Sequence, residues 1–391
     1  MTPEEFYRKI HKNDKDAIIN LSEKKTLDFI RTGSWPIDQI IGDGSMKDRQ
    51  GGFPRGQIVE IFGGESSGKS TLALSAIQSA QREGGFCILL DFEQTFHPKY
   101  AEHLGVSLDK NKFMLSQPMH FQQGARIIND VLATRPALIV VDSVTAMTPK
   151  EVMEGSVDEA GRPGLQAQLM STFLGYITKH LKAANTCLVF TNQIRAIINM
   201  GFVAPGAPTE TSSGGNALKF YSSVRLKMKQ SKVEKVERIS TITGKMEKEP
   251  VNVTVWVSVV KNKIDKPFRS APVYIRFGEG FDNIQSIIDL GVNTNTIKRS
   301  GALYTFSDGD EQIFKVQGKK ELWQLLADSP KIQDKIAANI NIEEDSEVRE
   351  EFAEESETGG DVDALLNNVS SAYVEKQSKK KMAKEAVTED E

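Results

Sequence analysis

The segment IVEIFGGESSGKSTLALSAIQSAQR, residues 58–82, constrains this chain more than any other. A short apolar run enters a glycine-rich turn, the turn closes on Gly-Lys-Ser, and helical spacing follows at Leu72, Leu74, Ile77 and Ala80. Gly63 to Ser70 matches G-x-x-x-x-G-K-[ST] in full, within the strand–turn–helix setting that the motif requires. Glycines let the backbone curl so that its N–H groups converge on phosphate oxygens. The helix that follows aims its positive end at the same anion. Gly63, Gly64, Glu65, Ser66, Ser67, Gly68, Lys69, Ser70 and Thr71 are therefore expected to hold a nucleoside triphosphate, with ATP the first choice. Lys69 should meet the β- and γ-phosphates, and the Ser70 hydroxyl should meet Mg²⁺. The bland alternative is a glycine loop with no ligand, which the flanks disfavour.

The same pattern repeats downstream. CILLDF (87–92), ALIVVD (137–142) and CLVFTN (187–192) are apolar throughout rather than alternating, as strands buried on both faces of a parallel sheet are. Helical stretches separate them, so an α/β core with a mostly parallel twisted sheet is expected. Later the period changes to two: Val251, Val253, Val255, Val257 and Val259 alternate. With SSVRLKMKQ they predict a hairpin or meander at the sheet edge, joined by the polar VERISTITGKMEKEP. The expected organisation is a helix/strand arm over 1–33, a core over 34–282, a small α+β domain over 283–341 and a charged, disordered tail over 342–391. In that small domain SIIDLGV and ELWQLLADSPKIQDKIAANI read as helices, and ALYTF and QIFKV as a hairpin.

Composition enters by exclusion. The net charge of -4 means that nucleic-acid binding must come from local patches. Cys87 and Cys187 sit in apolar runs and make no ligand cluster, so they read as buried thiols. The polar N-terminus lacks a signal-peptide core, and no apolar run approaches the about 20 residues of a membrane span. A protein with no membrane partner, located in the cytoplasm, is expected.

Other residues can join the nucleotide loop. Asp142 closes a buried strand, where a second contact to Mg²⁺ is expected, usually through water. Ser143 beside it can sense phosphate. Glu93 follows the CILLDF strand and can polarise the attacking water, although a solvated strand-end acid reads equally well. Asp91 competes, but strand alternation aims it to the other side.

These residues carry a resemblance. RTGSWPIDQIIG, GGFPRGQIVEIFGGESSGKSTLAL, HPKYAEHLGV, LIVVDSVTAMTP, TNQIR, SSGGNALKFYSSVRL and VVKNKIDKPF together resemble a RecA-family homologous-recombination ATPase over roughly residues 26–325. The bacterial type is the nearer one, and weaker agreement in tail and linker marks a divergent, phage-like member. The resemblance implies a RecA-type P-loop NTPase core with a short N-terminal polymerisation arm and a small C-terminal domain. It implies that Glu93 is the catalytic glutamate, that Tyr100 stacks on adenine, and that Gln193 senses γ-phosphate and relays it to a DNA loop. His97 stands where an Asp is usual near the adenine amino group.

Two loops, about 154–164 and 195–214, would line a filament axis and hold single-stranded DNA. Arg162 and Arg195 would pair with phosphate, Ile197, Ile198, Met200 or Phe202 would wedge between bases, and Gly214, Gly215 and Asn216 would offer backbone N–H groups. The alternative is a plain surface loop. Arg162, Pro163 and Gln168 depart from the family pattern, which implies fewer phosphate contacts. Lys261 and Lys263 read by themselves as exposed lysines on an edge strand; the resemblance makes them reach a neighbouring subunit's γ-phosphate, with Lys219, Phe220 and Arg225 close to that interface. The acidic tail either damps DNA binding or merely solubilises.

The expected activity is ATP-dependent strand exchange by a homo-oligomeric helical filament on single-stranded DNA, pairing with homologous duplex DNA and working beside loading proteins. Two rivals are a ring motor with a RecA-type core, which would need an arginine finger and a separate N-terminal domain, and a recombination mediator that binds ATP but hydrolyses it poorly.

Overall fold

A computed structural model describes residues 2, 5, 27–42, 51–154, 164–196, 210–239, 245–309 and 311–340. The expected arm and tail thus lie largely outside the described residues, as do Arg162, Pro163, Ile197, Ile198, Met200 and Phe202.

The described chain begins with β1 (Phe29–Ile30), α1 (Trp35–Ile41) and β2 (Phe53–Pro54), with β1 antiparallel to β2. Next come β3 (Ile58–Gly63), α2 (Lys69–Arg82), β4 (Cys87–Asp91), α3 (Pro98–His103), β5 (Phe113–Ser116), α4 (Phe121–Val131) and β6 (Leu138–Asp142). Then follow α5 (Lys150–Glu154), α6 (Leu165–Ala184), β7 (Cys187–Ala196), β8 (Glu210–Ser212) and α7 (Asn216–Tyr221). The sheet is completed by β9 (Val224–Ile239), β10 (Met246–Asn262), β11 (Ser270–Arg276) and β12 (Gly280–Phe281). The order across it is β12-β11-β10-β9-β3-β7-β6-β4-β5, with β8 paired to β7. Strands β5 to β9 along that order are parallel to one another, and β10, β11 and β12 continue antiparallel.

The continuous apolar runs have a simple cause. Along β6, Leu138 and Val140 pack with α2, whereas Ile139 and Val141 pack with α4 and α6; β4 and β7 alternate in the same way. Each strand must therefore be apolar on both faces. A third cluster unites α8 (Asn283–Asn293), β14 (Leu303–Asp308), β15 (Glu311–Gln317), α9 (Lys319–Asp328) and α10 (Pro330–Asn339) around Ile288, Phe306, Leu322 and Ile336, while the exposed β13 (Lys298–Ser300) pairs with β14.

Several expectations change. The strand read as CLVFTN runs on to Ala196, because β8 gives it an antiparallel partner: Ile194 faces Ser212, Arg195 faces Thr211 and Ala196 faces Glu210. Gln193 is thus inside a strand rather than past one. Most of VERISTITGKMEKEP is strand, not connection: β9 and β10 stay paired out to Ile239 and Met246. That outer ribbon is exposed on both faces, so it lacks apolar alternation, and charge pairs such as Arg238–Glu249 (3.6 Å) line it. The short edge strand β5 and the proline-containing β11 carry little sequence signal. The long C-terminal helix is interrupted at Ser329, where Pro330 opens α10.

Candidate nucleotide site

The nucleotide loop leaves β3 at its carboxyl end and enters α2 at Lys69. Two glycines are required there by space. A Cβ on Gly63 would lie 2.2 Å from the Met228 carbonyl oxygen, and Gly68 has φ +87° with the Ile275 side chain against it. At Gly64 a Cβ would meet nothing within 4 Å, so the loop's outer face is open. Ser67 is buried, and its hydroxyl donates to the Gly64 carbonyl (2.8 Å), holding the curl. Glu65 and Ser66 are exposed, and Ser66 takes a left-handed φ of 56°. Lys69 Nζ donates to the carbonyls of Gly63 (3.2 Å) and Gly64 (2.6 Å). Burial lowers its pKa, and Asp142, Glu93 and Glu65 pull it back up.

Ser70 Oγ donates to Asp142 Oδ2 (2.8 Å), and Thr191 Oγ1 donates to Asp142 Oδ1 (2.5 Å). Burial raises the Asp142 pKa, opposed by those two hydroxyls. A hydroxyl and a carboxylate at the end of a phosphate-binding loop suit a hard cation such as Mg²⁺, which takes oxygen ligands and keeps several waters. The residues present therefore fit Mg²⁺ bound jointly with a substrate's phosphates.

Glu93 is exposed beside this pair. Ser143 Oγ donates to Glu93 Oε1 in a short hydrogen bond, and Gln193 Nε2 donates to the same oxygen at 3.4 Å. Glu93, Ser143 and Gln193, spread over a hundred residues of sequence, thus meet at one carboxylate oxygen. Asp91 Oδ2 accepts from the Phe96 N–H (2.9 Å) and from Gln117 Nε2 (3.2 Å), which shapes the segment leading to α3. There Tyr100 OH shares a hydrogen bond with Thr71 Oγ1 (2.9 Å). His97 caps α3, its Nδ1 accepting from the Tyr100 N–H (3.3 Å), a task that explains the residue type locally. Ser70, Asp91, Phe96, His97, Tyr100 and Asp142 line a cavity of about 90 Å³.

Lys261 and Lys263 are held against α7. Lys261 Nζ donates to the carbonyls of Lys219 (2.7 Å) and Phe220 (2.9 Å), and Lys263 Nζ to that of Phe220 (3.3 Å), at the end of α7. The edge-strand reading of this pair is corrected: β10 is flanked by β9 and β11, and Lys263 follows its last residue. Phe220 is 71% exposed beside them. Gly214 (φ +86°) and Gly215 (φ +76°) sit tightly, a Cβ on each lying 2.7 Å from Val144 Cγ1 and 2.6 Å from Ala167 Cβ, and Asn216 opens α7. The side chain of Arg195 lies outside the described residues.

Sequence reading missed Thr191, Asn192 and Glu60. The first two are polar residues closing an apolar run, and Glu60 is a charge inside one; those interruptions were the available signal. Asn192 Nδ2 donates to Glu60 Oε1 and to the Ser213 carbonyl, both at 2.9 Å.

Comparison with known proteins adds an independent finding. Residues 5–282 match the RecA N-terminal domain and residues 285–343 the RecA C-terminal domain. The chain is 40% identical over 337 residues to Protein RecA of Cutibacterium acnes, covering 84% of this chain and 89% of that one. It is 40% identical over 316 residues to Protein RecA of Methylobacterium sp. (strain 4-46), covering 80% and 79%. Protein RecA of Psychrobacter cryohalolentis is 39% identical over 334 residues, covering 84% and 87%.

Proposed function

The chain belongs to the RecA family of ATP-dependent DNA recombinases, and we propose that the side chains described above divide that activity among themselves as follows. The protein is a DNA-dependent ATPase that uses ATP and Mg²⁺, binds single-stranded and homologous duplex DNA, and works as a homo-oligomeric filament. Lys69 exchanges its loop carbonyls for the β- and γ-phosphates. Ser70 and Asp142 hold Mg²⁺, which when bound neutralises phosphate charge. Tyr100 carries the base, and Thr71 positions Tyr100. Glu93 orients the attacking water and takes its proton, while Ser143 and Gln193 set the direction of its carboxylate.

The observation that carries this reading is the convergence of Ser143 and Gln193 on Glu93 Oε1. A γ-phosphate competing for Gln193 would release that contact and pull on β7, whose far end pairs with β8 at the base of the second loop. Arg162, Arg195, Ile197, Ile198, Met200 and the backbone of Gly214, Gly215 and Asn216 bind DNA in this scheme. Lys261 and Lys263 act on the neighbouring protomer's nucleotide, so hydrolysis depends on assembly. The chain divides into an arm (1–33), a core (34–282), a small domain (283–341) and a tail (342–391). The protein is cytoplasmic; among the described residues no helix is long and apolar enough to cross a membrane.

Turnover and binding, measured separately, test the assignment. Glu93→Gln should bind ATP and single-stranded DNA but lose hydrolysis, and Lys263→Ala should bind ATP yet lose DNA-stimulated turnover. Normal turnover in the first removes Glu93 from catalysis; unchanged stimulation in the second refutes the in-trans role.

A further inference from the structure

One carboxylate in the core has no part in the scheme so far. Glu60 lies on β3, three residues before the nucleotide loop, and is 0% exposed. Burying an ionised group is strongly unfavourable unless each oxygen is paired. Both are, and to opposite sides. Oε2 meets Arg225 Nε on β9 at 2.5 Å, and Oε1 accepts from Asn192 Nδ2 on β7 at 2.9 Å.

Each partner leads to a working end of the molecule. Arg225 pairs in register with Glu60 across β3 and β9, and with Lys261 across β9 and β10. A register shift between Val259 and Lys261 makes that second pairing possible. Unbroken alternation would put Lys261 on the face of Val255, Val257 and Val259; the bulge turns it onto the face of Arg225 and Glu60. On the other side, Asn192 Oδ1 accepts from the Gln193 N–H (2.9 Å), and Nδ2 also holds the Ser213 carbonyl just before Gly214 and Gly215. A polar row therefore crosses four neighbouring strands, from Lys261 through Arg225, Glu60 and Asn192 to the residues around Gln193 and Gly214.

We propose that Glu60 is a positioning residue that couples the Lys261 face to the Gln193 and Ser213–Gly215 end of β7, through Arg225 on one side and Asn192 on the other. The proposal rests on the reading of Lys261, Gln193 and Gly214–Asn216 given above. Its physical basis is that neither oxygen of Glu60 can lose its partner cheaply. When a phosphate draws Lys261 and Arg225 outward, the carboxylate follows or tightens on Asn192, and the Ser213 carbonyl and the Gln193 N–H move with Asn192. The row carries the state of the subunit contact to the DNA-binding end without touching nucleotide.

The test is the ratio of single-stranded DNA affinities with a slowly hydrolysed ATP analogue and with ADP, read by anisotropy of a labelled oligothymidylate. Glu60→Gln keeps the shape and removes the charge. Its ratio should fall about tenfold, a typical loss for a broken coupling, while affinity for a fluorescent ATP analogue stays within about twofold. Arg225→Gln should lower the ratio alike, and the double variant should be no worse than either single one. A ratio in Glu60→Gln equal to wild type overturns the proposal. If Glu60→Gln does not fold, Asn192→Ala decides, since it leaves the Glu60–Arg225 pair in place: a lost ratio supports the coupling and a retained one overturns it. A wild-type chain with equal affinity in both nucleotides sinks the underlying switch as well, and that outcome is read before any variant is made.

Discussion

Asp142→Asn separates a residue kept for chemistry from one kept for stability. The wild-type carboxylate is drawn largely out of water, which costs up to several kcal/mol for an ion. Ser70 and Thr191 return part of this through charge-assisted hydrogen bonds of about 1.5–3 kcal/mol each. An asparagine keeps an acceptor for Thr191 and offers Ser70 an N–H instead, two neutral bonds of about 1 kcal/mol each. It also removes the ionic penalty. The net change should be about 1 kcal/mol in favour of the variant, which for a domain of this size raises Tm by about 2–4 °C. The pH dependence has a definite sign. Because burial holds the folded pKa above the ordinary carboxylate value of 3.8, the folded protein takes up this proton before the unfolded chain does. The variant's advantage is full above the folded pKa, narrows as pH falls and disappears below 3.8. Calorimetry without nucleotide or divalent cation reads this directly. The same variant should gain little Tm from Mg²⁺ and ATP, and its turnover should drop by about a hundredfold or more. If the variant instead melts several degrees lower without ligand, or hydrolyses ATP normally, the carboxylate is structural and its placement on Mg²⁺ is wrong.

Gly214→Ala should cost about 1–2 kcal/mol from its left-handed backbone, more if Val144 cannot yield, and should weaken single-stranded DNA binding while ATP affinity holds; undiminished DNA binding would show that this turn is not used. Asp38 is buried against Thr32 and Arg31, and burial raises its pKa from 3.8 to about 6. Its ionisation therefore weakens folding as pH rises from 3.8 to about 6, so Asp38→Asn should flatten the melting temperature across that interval, and an unchanged slope would remove Asp38 as its source. Burial pushes the Cys87 thiol up to about 12 and the Cys187 thiol higher still. Neither should react with a thiol reagent at pH 8 until the protein opens, and rapid labelling of the native state would contradict their burial.

The sequence by itself determined the parts whose physics is local. The phosphate-binding turn was legible in Gly63–Ser70 because a motif, a preceding strand and a following helix agree over a short span. The parallel sheet was legible because a strand covered on both faces must be apolar at every position, as Leu138 to Val141 are. Glu93, Gln193 and Tyr100 were nameable through likeness to a family.

Only the tertiary structure decided how distant pieces meet. Nothing near Gln193 in sequence says that its side chain reaches Glu93, or that β7 outlasts its apolar run because β8 supplies hydrogen bonds. The lysine pair shows the limit most clearly. Alternation assigns Lys261 to one face of its strand, and a bulge in the pairing with β9 moves it to the other. Glu60 looked like an isolated charge in a core strand, and its meaning came only from Arg225 and Asn192, which sequence places 165 and 132 residues away. Hydrophobic periodicity reports what each residue does to water, whereas pairing between strands is a property of two segments at once.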